Sequence, residues 1–241
     1  MLPLQPQNGK QLCRWHSFKT PHDVEHAAVT GILNAARNAI ALRGAFHIVL
    51  AGGTTPKKVY EALCDAKIDW NAWHIYFGDE RCLPSDHADR NSRMVSLAWL
   101  NHVAIPANQI HPIPTEEGVT VAAEKYTQVV NKVKSFDLVL LGLGEDGHTA
   151  SLFPNHDAGD SHDAPATLIV LDAPKPPPQR VSLSARRLSE TRQLIFLVTG
   201  SSKTQAVNDW RSGKAIPAAK ITPENGVDIY IESALLDSPS N

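Results

Sequence analysis

The residues best equipped for chemistry lie in Gly142-Leu143-Gly144-Glu145-Asp146-Gly147-His148. His148 is a candidate general base, since an imidazole changes charge near neutral pH and can take a proton from water. Asp146, two residues earlier, can fix which ring nitrogen carries the proton. Gly52-Gly53-Thr54-Thr55, running into Pro56-Lys57, joins bare backbone N–H groups to two hydroxyls. At a helix start that is a phosphate cradle. The turn has neither the spacing of a P-loop nor the G-x-G-x-x-G of a dinucleotide site, so nucleotide binding is not indicated. Thr199-Gly200-Ser201-Ser202-Lys203 repeats the theme with a cation. Asp79-Glu80-Arg81 closes another apolar run, the usual form of a solvated strand exit. Arg180 follows four prolines within residues 173–180, a stiff linker suited to presenting it in a fixed place.

Each glycine-bearing turn needs an element to carry it, and each follows a short, mostly apolar run, that of 136–141 interrupted by Asp137. Residues 45–51, 73–78, 136–141 and 193–198 read as strands buried on both faces of a parallel sheet. Thr20-Pro21-His22-Asp23 starts a helix whose apolar stripe, from Val24 to Ile40, ends near Gly44. Further helices are expected over 55–66, 93–101 and 119–133, and after Lys203. Residues 148–152 read as the first turn of another, whose positive end would disfavour an imidazolium at His148. Shorter strands are expected at 167–171 and 181–184, a short strand or arm at 15–18, and an edge strand at 227–231. At least five strands alternating with helices give an α/β fold, with ligands in the crevice outside the strand carboxyl ends.

The length of 241 residues suits one domain spanning 1–241, with 1–19 and 233–241 peripheral. A net charge of -2 gives no electrostatic reason to expect nucleic acid or a membrane as partner, so any anionic ligand must be met by locally placed cations. Cys13, Cys64 and Cys82 have no metal-type spacing and leave one unpaired after any pairing, which fits a reduced cytoplasmic protein. The first twelve residues lack the layout of a signal peptide. His156, Asp157, Asp160, His162 and Asp163 match no ligand set, and no metal is expected there.

Together LAGGTTP at 50–56, FGDER at 77–81, Asn91 after the SDHADR loop, GLGEDGHTASLFP at 142–154, KPPPQRVSL at 175–183 and TGSSK at 199–203 resemble the 6-phosphogluconolactonases. The resemblance covers about residues 20–232. It implies a three-layer, Rossmann-like α/β sandwich with a mostly parallel central sheet and no obligatory cofactor. It also implies hydrolysis of the sugar-phosphate lactone 6-phospho-D-glucono-1,5-lactone in the oxidative pentose phosphate pathway; a monomer or weak homodimer is expected. His148 then resembles the catalytic base, with Asp146 beside it. Gly52, Gly53, Thr54, Thr55, Arg180 and Lys203 resemble the phosphate-holding positions, while Asp79 and Arg81 would line the pocket near the ring. Arg90 stands where relatives usually have Ser before the Asn. The related glucosamine-6-phosphate deaminases share the two glycine-hydroxyl turns, but their loop histidine is followed five residues later by glutamate, and here that residue is Phe153. A sugar-phosphate sensor on this fold would carry a DNA-binding segment, and no helix-turn-helix or basic stretch is present.

Overall fold

The computed structural model describes residues 11–236; the peripheral assignments of 1–10 and 237–241 lie outside it. In chain order the elements are β1 (Cys13–Phe18), α1 (Pro21–Arg43), β2 (Phe46–Leu50), α2 (Thr54–Leu63), β3 (Trp73–Phe77), β4 (Asp79–Arg81), α3 (Asn91–Ala98), β5 (Ile110–His111), α4 (Val119–Val130), β6 (Leu138–Gly142), β7 (Thr167–Val170), β8 (Arg180–Leu183), α5 (Ala185–Ser189), β9 (Leu194–Val198), α6 (Thr204–Arg211) and β10 (Val227–Glu232). Seven strands form a wholly parallel sheet in the order β1-β10-β9-β6-β2-β3-β5, flanked by helices, as the sequence led us to expect. The four continuous apolar runs supply its centre, and β2, β3, β6 and β9 are almost wholly buried. Thr20 and Asp23 cap α1 reciprocally, and Gly44, at φ +79°, closes it by bonding the Ile40 carbonyl.

From β2 the chain steps through β3 to β5 on one side, whereas from β6 it steps through β9 to β10 on the other. The order therefore reverses between the adjacent strands β2 and β6, and the crevice at their carboxyl ends is the favoured ligand position of such a sheet. Two buried tyrosines hold these ends. The Tyr60 hydroxyl of α2 accepts from Ala51 N (3.0 Å) and donates to Ala51 O (2.9 Å), just before the Gly52 turn. The Tyr126 hydroxyl of α4 does the same for Phe77 at the end of β3, at 2.8 and 3.0 Å. Tyr60→Phe should strand two buried backbone groups and lower stability by about 1–3 kcal/mol, readable as a shift of the urea midpoint without a change of slope.

Three expectations are corrected. The strand at 227–231 is not an edge: β10 lies between β9 and β1, because β1 adds outside it in register from Cys13 with Val227 to Phe18 with Glu232. No helix follows His148. Residues 149–152 form a tight turn closed by the Leu152 N–Thr149 O bond, with Ala150 at φ +49°, so no helix end acts on the imidazole. Asp79-Glu80-Arg81 is not a solvated exit but β4, the edge of a second, antiparallel sheet in the order β4-β8-β7. Glu80 is completely buried there, accepting from the backbone N–H groups of Arg81, Asn91 and Ser92 at 2.8 Å each. Its charge sits at the positive start of α3, which offsets the burial of a carboxylate.

Candidate active site

The crevice between β2 and β6 opens into a cleft of about 670 Å³. Gly52, Gly53, Thr54, Thr55, Asp79, Arg81, Asn91, His148, Arg180 and Lys203 all line it. Of the eleven residues singled out, Asp146 alone does not line the cleft; it is exposed and pairs with His148. Residues the sequence reading missed also face the cleft: Glu25 and Pro21 at the start of α1, Lys58 on α2, Phe153 and Lys175. Five cations, Lys58, Arg81, Lys175, Arg180 and Lys203, thus face two carboxylates, Glu25 and Asp79. In a protein of net charge -2 this is a local surplus suited to an anion.

His148 stands at the tip of the loop that follows β6. Gly144 N donates to the His148 carbonyl (2.7 Å), Thr149 Oγ1 donates to the Gly142 carbonyl (2.8 Å), and Ala218 N donates to the Gly147 carbonyl (3.1 Å). Asp146 Oδ1 lies 2.5 Å from His148 Nδ1 and accepts the His148 backbone N–H at 3.1 Å. A carboxylate on Nδ1 selects the tautomer protonated there and leaves the Nε2 lone pair as the proton acceptor. Partial burial opposes ionisation of Asp146, but its hydrogen bonds with the His148 ring and backbone outweigh that and hold the carboxyl below its ordinary value. The imidazole packs against the Phe153 ring, centroids 4.9 Å apart, and Phe153 is buried.

The closeness of this packing makes Gly144 obligatory. A Cβ there would lie 2.0 Å from His148 Nδ1. Gly144→Ala should therefore displace the imidazole from Asp146 and cut turnover by roughly a hundredfold, the cost of about 1 Å of misplacement, while the urea midpoint changes far less than the rate. A Cβ on Gly52 would meet Asn91 Oδ1 at the same distance of 2.0 Å.

Asn91 is the first residue of α3, and its Nδ2 donates to Asp79 O (3.0 Å) and Asp79 Oδ1 (3.1 Å). Ser151 Oγ, from the turn after His148, donates to Asp79 Oδ2 at 2.6 Å. Asp79 thereby joins α3 to the histidine loop. Arg90, the departure from the family pattern, is buried away from the cleft. It donates to Glu116 Oε2 (2.6 Å) and the Ile113 carbonyl (2.8 Å). It pins the entry to α3 and leaves Asn91 facing Gly52.

Arg180 begins β8 instead of ending a free linker, yet the proline segment does fix it. Its Nη2 donates to the Lys175 carbonyl (2.8 Å) and Nε to the Pro177 carbonyl (3.1 Å), and its guanidinium lies 5.5 Å from the Phe153 ring centroid. In the β4–β8 register it sits directly opposite Arg81, an unfavourable like-charge pair unless an anion joins them. Burial lowers the Arg180 pKa, with Asp79 opposing the fall and Arg81 adding to it. Lys203 is likewise lowered, first by burial. Both cations are desolvated with incomplete counter-charge, which a phosphate would supply. Across the floor Thr55 Oγ1 meets Thr199 Oγ1 at 2.7 Å, joining the first cradle to the loop that carries Lys203. That lysine ends a 3₁₀ turn, Ser201–Lys203, leading into α6.

The model of the family described as glucosamine-6-phosphate isomerases/6-phosphogluconolactonase matches residues 19–230. A 6-phosphogluconolactonase of Synechocystis is 39% identical over 203 residues, covering 80% of this chain and 82% of that one. One of Mycobacterium tuberculosis is 36% identical over 195 residues, covering 75% and 78%. Among solved structures, the 6-phosphogluconolactonase of Thermotoga maritima superposes with a TM-score of 0.85 at 26% identity, over 92% of this chain and all of that one. That of Trypanosoma brucei gives 0.84 at 26% identity, over 95% and 100%. A monomeric glucosamine-6-phosphate deaminase, 18% identical with a TM-score of 0.80, shares the fold. With the matched region running from before α1 into β10 and so taking in every wall of the cleft, the chain belongs to the glucosamine-6-phosphate isomerase/6-phosphogluconolactonase family.

Proposed function

We propose that the protein hydrolyses 6-phospho-D-glucono-1,5-lactone to 6-phospho-D-gluconate, with a water molecule activated by His148. The observation that carries this reading is the placing of a carboxylate-locked histidine in the same cleft as the glycine cradle and a surplus of cations. The named relatives support the substrate class. A lactone is an activated ester, so the reaction needs a base, a way to hold the ring and positive surroundings for the developing oxyanion. The phosphate rests on the backbone N–H groups of Gly52 to Thr55 with Arg180 and Lys203, and this remote binding energy positions the ring. Water attacks the carbonyl carbon while its proton passes to His148 Nε2. The tetrahedral intermediate collapses with cleavage of the ring C–O bond, and the imidazolium returns the proton to the departing ring oxygen. No metal or covalent intermediate enters the scheme.

Phe153 disfavours the deaminase reading, since the position that would need a tuning acid is filled by a buried ring packed at a tilt against His148. Three free thiols suit a reducing compartment such as the cytoplasm. The direct test generates the lactone in situ and follows acid release above the spontaneous rate. Acceleration proportional to protein is expected. A rate equal to the blank, or ammonia release from glucosamine 6-phosphate, would overturn the assignment.

A further inference from the structure

The parallel sheet has a second cleft at its opposite end, of about 240 Å³, lined by Arg43, His47, Lys132, Lys134, Asp137 and Arg192 together with Ala45, Val133 and Ser135. These residues converge from the end of α1, the start of β2, the α4–β6 connection and the entry to β9. It lies at the amino ends of β2 and β6, the strands whose carboxyl ends frame the His148 cleft.

The charge of this cleft is unbalanced. Its single carboxylate, Asp137, is buried and used by both arginines. Arg43 Nη2 lies 2.7 Å from Asp137 Oδ1, and Arg192 Nε lies 3.5 Å from the same oxygen. Asp137 Oδ2 accepts the His47 backbone N–H at 2.8 Å. Among the described residues, no carboxylate lies within 4.0 Å of the Lys132 or Lys134 ammonium. Four cations thus face one carboxylate in a concave site, and focusing by the low-dielectric walls strengthens the positive field there. Arg43 places both Nε (2.9 Å) and Nη2 (2.7 Å) on Asp137 Oδ1, so these pairs hold the two guanidinium groups in place and a ligand would meet their remaining N–H groups, with the exposed lysines at the rim.

We propose that this cleft is a second anion site, for a small multiply charged anion of the phosphate-ester or diphosphate class, separate from the His148 cleft. Specific recognition comes from the two arginines and affinity from the lysine rim.

Inorganic pyrophosphate titrated into the isotopically labelled protein tests this through the backbone amides. Saturable shifts at His47, Ser135 and Asp137 are expected, beside any at Thr54, Thr55 and Lys203. Exposed Lys132 and Lys134 can be replaced without disturbing the buried Asp137 network. The K132A/K134A variant should weaken the His47–Asp137 response at least tenfold and leave the Thr54–Lys203 response and lactone hydrolysis unchanged. Adenosine diphosphate in a parallel arm, with the same number of phosphates as pyrophosphate, separates a nucleotide ligand from a free diphosphate, since tighter binding of it then reports the nucleoside and not added charge. Shifts confined to the His148 cleft, or equal responses at His47 to Asp137 in parent and variant, would overturn the proposal.

Discussion

Asparagine in place of His148 is expected to lower turnover of the phosphorylated lactone by on the order of a hundredfold or more, with an unchanged circular dichroism spectrum and urea midpoint. The side chain stands on a loop tip beyond β6 and contributes a proton acceptor to the cleft, whereas the sheet beneath it is built from residues 138–142. Its neighbours refine the expectation. Asp146→Asn keeps the size of the partner but removes the charge that holds the proton on Nδ1, so it should cost a smaller factor, in kcat more than in KM. That lock holds at neutral pH: the Asp146 carboxyl is held below its ordinary value, so the pairing is fully present above the ordinary carboxylate range. It is lost only as pH falls through the lowered value. Turnover within a fewfold of the parent in folded His148→Asn would remove His148 from the mechanism.

The second large effect concerns the phosphate. Lys203→Ala and Arg180→Ala should each weaken kcat/KM for the phosphorylated lactone by about ten- to a hundredfold, taking a charged hydrogen bond as roughly 1.5–3 kcal/mol. Both cations are partly desolvated and short of counter-charge, so an incoming phosphate gains from each. The control is unphosphorylated gluconolactone, on which the losses should be small. The comparison matters most for Arg180, whose guanidinium also ties the 175–177 carbonyls together beside Phe153. A structural loss would depress both substrates alike. Equal losses on the two lactones would mean that these cations do not read the phosphate.

How far the site could be read in advance depended on how local its causes are. The turns at Gly52, Gly142 to His148 and Gly200 were legible because each follows a strand buried on both faces, which writes itself as a continuous apolar run, and because glycine marks the break. The tyrosine clamps were not, since nothing local in Tyr60 or Tyr126 says that its hydroxyl will meet a strand end. The antiparallel sheet was hidden for a different reason. β7 and β8 were expected as short strands, but β4 is three charged residues with no apolar or alternating pattern, and nothing local in it says that it will pair with β8. Glu80 is wholly buried because the start of α3, eleven residues further on, returns two backbone N–H groups to it and Arg90 Nε lies 3.4 Å from its carboxylate. The helix wrongly expected after His148 came from reading a residue order as a cap. The turn is instead fixed by contacts with Ser182 and with residues 216–218, remote in sequence.

The pairing of β1 with β10 sets an order of events during synthesis. Every register partner of Cys13 to Phe18 lies in 227–232, and Arg14 Nε joins Asp228 Oδ1 at 2.7 Å across the same seam. At about 5 to 20 residues per second, β1 waits on the order of 10 to 40 s for its partner β10 to be made. The crevice between β2 and β6 needs no such wait, because its strands and both cradles up to Lys203 precede β10. The part of the sheet that frames the His148 cleft can assemble before β10 is made, and β1 and β10 then zip the far margin shut. Disrupting either β1 or β10 attacks one and the same seam, on the side of the sheet away from β3 and β5.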